Sequence, residues 1–120
     1  MNIPNVLMRL TSRYMANCMK LHPKDNVATM MARVLPDELC DIVDTEHCKI
    51  GQVCALDKVK FGHKIALADI PPNGDVIKLG AIIGKASQAI LTGTHIHVHN
   101  VYSIEGSAHQ SNAAQKEERS

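Results

Sequence analysis

The segment Gly93-Thr94-His95-Ile96-His97-Val98-His99-Asn100 places a histidine at every second position with an aliphatic residue between. That alternation is the period of a β-strand, which rises about 3.3 Å per residue and turns successive side chains to opposite faces. His95, His97 and His99 then share one face at intervals of roughly 6.7 Å, while Ile96 and Val98 turn to the core. Imidazole can ligate a metal, shuttle a proton or bind an anion near neutral pH. Three same-face positions on a straight strand diverge too far to close on one ion. Two of them would share it, and a further ligand would come from elsewhere, with His22 and His63 as the candidates. The same spacing equally serves a half-exposed polar face or a contact between subunits.

Two further clusters carry polar chemistry. Gly62-His63-Lys64 opens an apolar strand, and the period of two sends the imidazole and the ammonium to opposite faces. His22-Pro23-Lys24-Asp25-Asn26 is a polar turn before Val27-Ala28, where Asp25 and Asn26 can satisfy backbone donors or meet a ligand. Lys78, followed by Gly80 and Gly84, can reach a carboxylate or phosphate, but the segment lacks P-loop spacing. Asp25, Asp44, Glu46, Asp57, Asp69 and Asp75 are scattered, so no pair of carboxylates is set for acid and base roles. No Ser or Cys sits in a nucleophile motif.

These residues must be positioned by short strands. Val27–Leu35, Gly51–Val59, His63–Ile70, Asp75–Lys78 and His95–Val101 are apolar or alternating runs separated by turn residues. Pro71-Pro72-Asn73-Gly74 reads as a hairpin turn between two of them. Ile83–Leu91, with Ala86, Ala89 and Ile90 near a period of 3.6 and Gly93 just beyond, predicts a short helix. Ile3, Val6, Leu7, Leu10 and Tyr14 predict another near the N-terminus. From Ser103 onward Ile104 is the only large aliphatic residue, which predicts a disordered polar tail over 103–120. The expectation is an N-terminal extension over 1–20 and one mostly β domain over 21–102 with one or two short helices.

Composition narrows the function further. A chain of 120 residues supports one domain with a core large enough to fold unaided. Thirteen Lys and Arg against 12 Asp and Glu leave a net charge of +1, which gives no footprint for nucleic acid and no polybasic membrane patch. Three aromatic residues, Tyr14, Phe61 and Tyr102, offer no stacking platform. No apolar stretch approaches the length of a signal-peptide core or a membrane span. Cys18, Cys40, Cys48 and Cys54 form no metal or disulfide pattern, so reduced thiols that serve packing in the cytoplasm are expected.

Taken together, HPKDNVA (22–28), GHKIALADI (62–70), GDVIKLGAIIG (74–84) and GTHIHVHN (93–100) resemble the SAF-type domain of the altronate/galactarate dehydratase family. The resemblance covers residues 21–101 and extends to small subunits of sulfolactate sulfo-lyase. It implies a β-clip, a folded-over arrangement of short strands with little helix. By the same likeness His22, Asp25, Asn26, His63, Lys64, Lys78, His95, His97, His99 and Asn100 stand at motif positions. Two departures accompany it: Leu79 stands where Tyr is frequent, and the connection Met30–Lys49 is long.

The activity implied is β-elimination from a hydroxy acid, with loss of water or sulfite next to the carbon that gives up its proton. His63, Lys64, Lys78, Asp25, Asn26 and Asn100 are then expected to bind substrate. His22, His95, His97 and His99 are expected to bind a divalent metal, iron first. Family members are long chains or pairs of a small and a large component, so a larger dehydratase-like partner is expected and activity of this chain alone is not. The alternatives are a sulfo-lyase small subunit and a non-catalytic binding module. A sheet edge also invites pairing of like chains.

Overall fold

A computed structural model describes residues 17–103. The expected N-terminal helix and almost all of the expected tail lie outside the described residues. Nine short strands follow in order: β1 (Asn17–Met19), β2 (Val27–Met30), β3 (Leu39–Val43), β4 (Lys49–Cys54), β5 (Lys64–Ala66), β6 (Asp75–Lys78), β7 (Ala81–Ala86), β8 (His95–Ile96) and β9 (Val101–Tyr102). Six of them form one sheet in the order β4-β3-β1-β2-β5-β8, and β6-β7-β9 form a second. This is the mostly-strand β-clip that the resemblance implied. β1 pairs β2 antiparallel and β3 parallel, so part of the segment expected to be an extension stands inside the larger sheet.

Alternation along β2 and β5 divides the interior into two cores. Ala28, Met30 and Ile65 face a cluster that includes Cys18, Val34, Cys40 and Val59. Their neighbours Val27 and Ala66 face the other, with Ile70, Val76, Ala86, Ile90 and Ile96. Two strands buried on both faces are what a two-core domain needs at its centre. Cys18 and Cys40 are core residues, but Cys48 and Cys54 are exposed, so packing accounts for only one pair of the thiols. The Cys18 thiol is held well above its ordinary value by its hydrogen bond with the Cys40 side chain and by burial.

Two local expectations are corrected. The described residues contain no helix: Ile83–Leu91 enters β7 and then a turn, and Ile90 bridges Ile70. The helical period there was a coincidence of three apolar residues. Gly84 breaks helix propensity, and its missing Cβ lets the backbone of β9 approach, since a Cβ there would stand 2.7 Å from the Tyr102 carbonyl. Nor does Pro71–Gly74 close a hairpin. It is a turn, with the Gly74 amide donating to Pro71 and Asn73 at φ 66°, but it carries the chain from one sheet to the other.

The tight hairpin is instead β6–β7, where Lys78 pairs Ala81. Its two turn residues, Leu79 at φ 57° and Gly80 at φ 76°, have the left-handed backbone that matches strand twist.

Candidate functional site

His63 and His95 meet because of register. Ile65 pairs His95 across β5 and β8, and His63, two residues before Ile65, shares its face. His63 Nδ1 and His95 Nε2 are 2.9 Å apart, one ring donating and the other accepting. Strand geometry would carry His97 and His99 away from this pair, but β8 ends at Ile96 and a turn follows. The His97 ring stacks on His63 with centroids 5.1 Å apart, and His95 lies 5.5 Å from both His97 and His99. Four imidazoles are thus gathered where a straight strand would have spread three. The correction extends to Val98, which was expected in the core and is 82% exposed at the turn.

Asn100 makes that turn. Its buried side chain donates from Nδ2 to the His95 carbonyl, and its Oδ1 accepts from the His97 amide. Asp57 accepts from the His95 amide at 2.9 Å, a support that no motif had singled out. Partial burial holds His95 below the ordinary imidazole value, and the charges of His63, His99 and His97 add to the effect, with Asp57 opposing it.

Lys64, on the opposite face, pairs Ile96 and lines a cavity of about 300 Å³. Ile83, Ile96, Val98 and Val101 form its apolar walls, and His97 and Ser103 add polar ones. His97 at the sheet edge therefore belongs both to the imidazole cluster and to the cavity. The Lys64 ammonium is pushed below its usual value first by burial and then by the charge of Lys78.

The remaining motif residues are placed elsewhere. His22 accepts from the Lys24 amide through Nδ1, and its ring lies against Gly80, where a Cβ would come within 2.9 Å of Nε2. It lines a different cavity of about 450 Å³ with Lys20, Asp44 and Glu46. Asn26 is committed to β6, donating to the Asp75 carbonyl and accepting from the Ile77 amide. Asp25 Oδ1 accepts from the Gly80 amide at 2.9 Å, while the buried Oδ2 has no partner.

Imidazoles are the right donors for a first-row divalent metal. Among the described residues, however, no three His, Cys, Asp or Glu side chains form a group that could hold one. His63 Nδ1 and His95 Nε2 face each other at 2.9 Å, which brings two ring nitrogens together and is short of a complete ligand set.

The sequence profile described as the altronate/galactarate dehydratase SAF domain matches residues 16–104. Altronate dehydratase of Bacillus subtilis (strain 168) is 38% identical over 86 residues, which are 72% of this chain and 16% of that protein. Galactarate dehydratase (L-threo-forming) of Escherichia coli (strain K12) is 35% identical over 82 residues, 64% of this chain and 13% of that protein. The (2R)-sulfolactate sulfo-lyase subunit alpha of Chromohalobacter salexigens is 44% identical over 45 residues, 38% of this chain and 48% of that subunit. The chain thus spans less than a fifth of the length of both dehydratases.

Proposed function

The chain belongs to the family of altronate/galactarate dehydratase SAF domains, and from that membership we propose that it is the small component of a hydroxy-acid lyase that removes water from a sugar acid together with a larger catalytic partner. The observation that carries the reading is the cluster of His63, His95, His97 and His99 beside a cavity that Lys64 enters. β-Elimination needs a base for the proton next to the carboxylate, a positive centre for the carboxylate as charge builds on it, and an acid at the leaving oxygen. Lys64 and Lys78 supply the positive centre. A ring of the cluster that holds no metal takes or returns the proton.

A divalent metal, iron first, would polarise the leaving hydroxyl when bound. His63 and His95 would supply two of its ligands, and the partner the rest. The small share of the dehydratases that this chain matches supports the need for such a partner.

A second reading is favoured by one relative. The sulfo-lyase protein is itself called a subunit and is matched over about half its length, so the leaving group handled here would be sulfite. Four free cysteines support a cytoplasmic setting, and no described helix is long and apolar enough to cross a membrane.

Affinity purification of the tagged chain from its own cells, with mass spectrometry of companions and lyase assays on the complex, tests the proposal. A stoichiometric dehydratase-like chain and turnover of altronate, galactarate or sulfolactate are expected. Recovery of the chain alone, or a complex inert on all three acids, overturns it.

A further inference from the structure

β7 pairs β6 along its length, but on its other side β9 covers only Lys85 and Ala86. Among the described residues the rest of that edge has no strand beside it, and Ile82 and Ile83 stand exposed there. An open edge with two successive isoleucines is a surface that a further strand completes. The pairing of β6 with β7 skips Ile83, a bulge that re-aims its side chain, and Ile83 walls the cavity with Val98 and Val101. Lys64 enters the same cavity and no carboxylate lines it. The ion pairs among the described residues are Lys49 with Asp41 and Lys85 with Asp75, so Lys64 has no acidic partner there. Edge and cavity together fit an extended segment with one aliphatic and one acidic side chain.

The sequence supplies such a segment where β9 ends. β9 runs antiparallel to β7 and stops at Tyr102, and Ser103 already lines the cavity. Continued in the same register, Ser103 meets Gly84, and the next two residues, Ile104 and Glu105, pass along Ile83 and Ile82. At about 3.3 Å per residue these three cover roughly 10 Å, the length of edge left open. Alternation decides which way each side chain turns. Val101 faces the core with Val76 and Ala86, and Ser103 and Glu105 fall on its face, toward the cavity and Lys64. Tyr102 and Ile104 fall on the other, where Ile82 pairs Ile77, the neighbour of core Val76. Ile104 is the only large aliphatic residue from 103 onward, Glu105 is the first acid, and Gly106 leaves the chain free to turn away.

We infer that residues 103–105 dock on the open edge of β7 as a continuation of β9, with Ile104 over Ile82 and the Glu105 carboxylate at Lys64. The chain thus carries its own anion for this cavity, and an anion from outside must displace it. The inference stands apart from the lyase reading, which concerns the cavity once it is open.

NMR of the full 120-residue chain tests it. Backbone heteronuclear NOE values at Ile104 and Glu105 are expected to match that of Tyr102, with cross-peaks between the Ile104 and Ile82 methyl groups. Values no higher than those of residues 112–118 would overturn the inference. So would cross-peaks found only between differently labelled copies, which would make the occupant a second chain. The charge contact is read by titrating inorganic sulfate at constant ionic strength and following the His97 amide. Glu105→Gln should respond at about a tenth of the sulfate concentration that the wild type needs, and Lys64→Met should abolish the response. The same response in wild type and Glu105→Gln, or none in either, would remove Glu105 from the cavity and overturn the proposal.

Discussion

The turn at His22–Asn26 and the turn at His97–Asn100 draw on the same kinds of residue and put them to opposite use. In the first, the imidazole accepts from a backbone amide, and Asp25 and Asn26 reach across more than fifty positions of sequence to hold β6 and the β6–β7 turn. His22 Nδ1, Asp25 Oδ1 and both ends of the Asn26 amide are thus committed to the fold. In the second, Asn100 alone closes the backbone, and the rings of His97 and His99 are left exposed beside His63 and His95. A side chain that is to act on a ligand must be one the fold does not need. The contrast separates groups that build the site from groups that work in it.

The largest expected effect breaks the second turn at its holder. Asn100→Ala removes two buried side-chain hydrogen bonds and should cost about 2 to 3 kcal/mol in urea unfolding. A cost below about 0.5 kcal/mol, the ordinary range of a surface substitution, would mean that the turn is held by something else.

A smaller effect concerns protons. His95 resists protonation in the folded chain, whereas the unfolded chain takes up the proton at the ordinary value of 6.5. The folded state therefore binds fewer protons in the window below 6.5, and stability present above it is lost as pH falls through the lower folded value. Thermal midpoints measured against pH should show this loss, and His95→Gln should reduce the slope. An unchanged slope would place the acid sensitivity in another group.

The smallest effect on stability sharpens the contrast most. His97→Gln together with His99→Gln should leave unfolding within about 0.5 kcal/mol of wild type, since both rings are exposed. Galactarate binding should nevertheless disappear. Loss of stability with binding intact would reverse the roles assigned to ring and amide.

Much of this was legible from residue order because strands advertise themselves by period. Asp75–Lys78 is β6 as expected, and β2 and β5 begin the runs at Val27 and near His63. Leu39–Val43 was missed, since Cys40 and Asp41 interrupt its aliphatic signal and Asp41 is buried through its contacts with Gln52 and Lys49. At the site, period-two reasoning singled out three of the four histidines that the structure gathers, with the wrong geometry. It continued the strand past Ile96, whereas Asn100 reaches back to His95 and ends it. An asparagine placed to bond the backbone three to five residues earlier was the one available signal. The separation of His22 from the cluster had no sequence signal at all, because it depends on which sheet each turn joins.

Leu79 adds a consequence for evolution. It holds a left-handed backbone that glycine or asparagine would adopt with less strain, of order 1 kcal/mol, and its side chain is 64% exposed. Folding of the monomer gains little from a leucine there. Selection for stability alone would favour glycine or asparagine at this position, so a substitution of Leu79 by either should raise the stability of the hairpin.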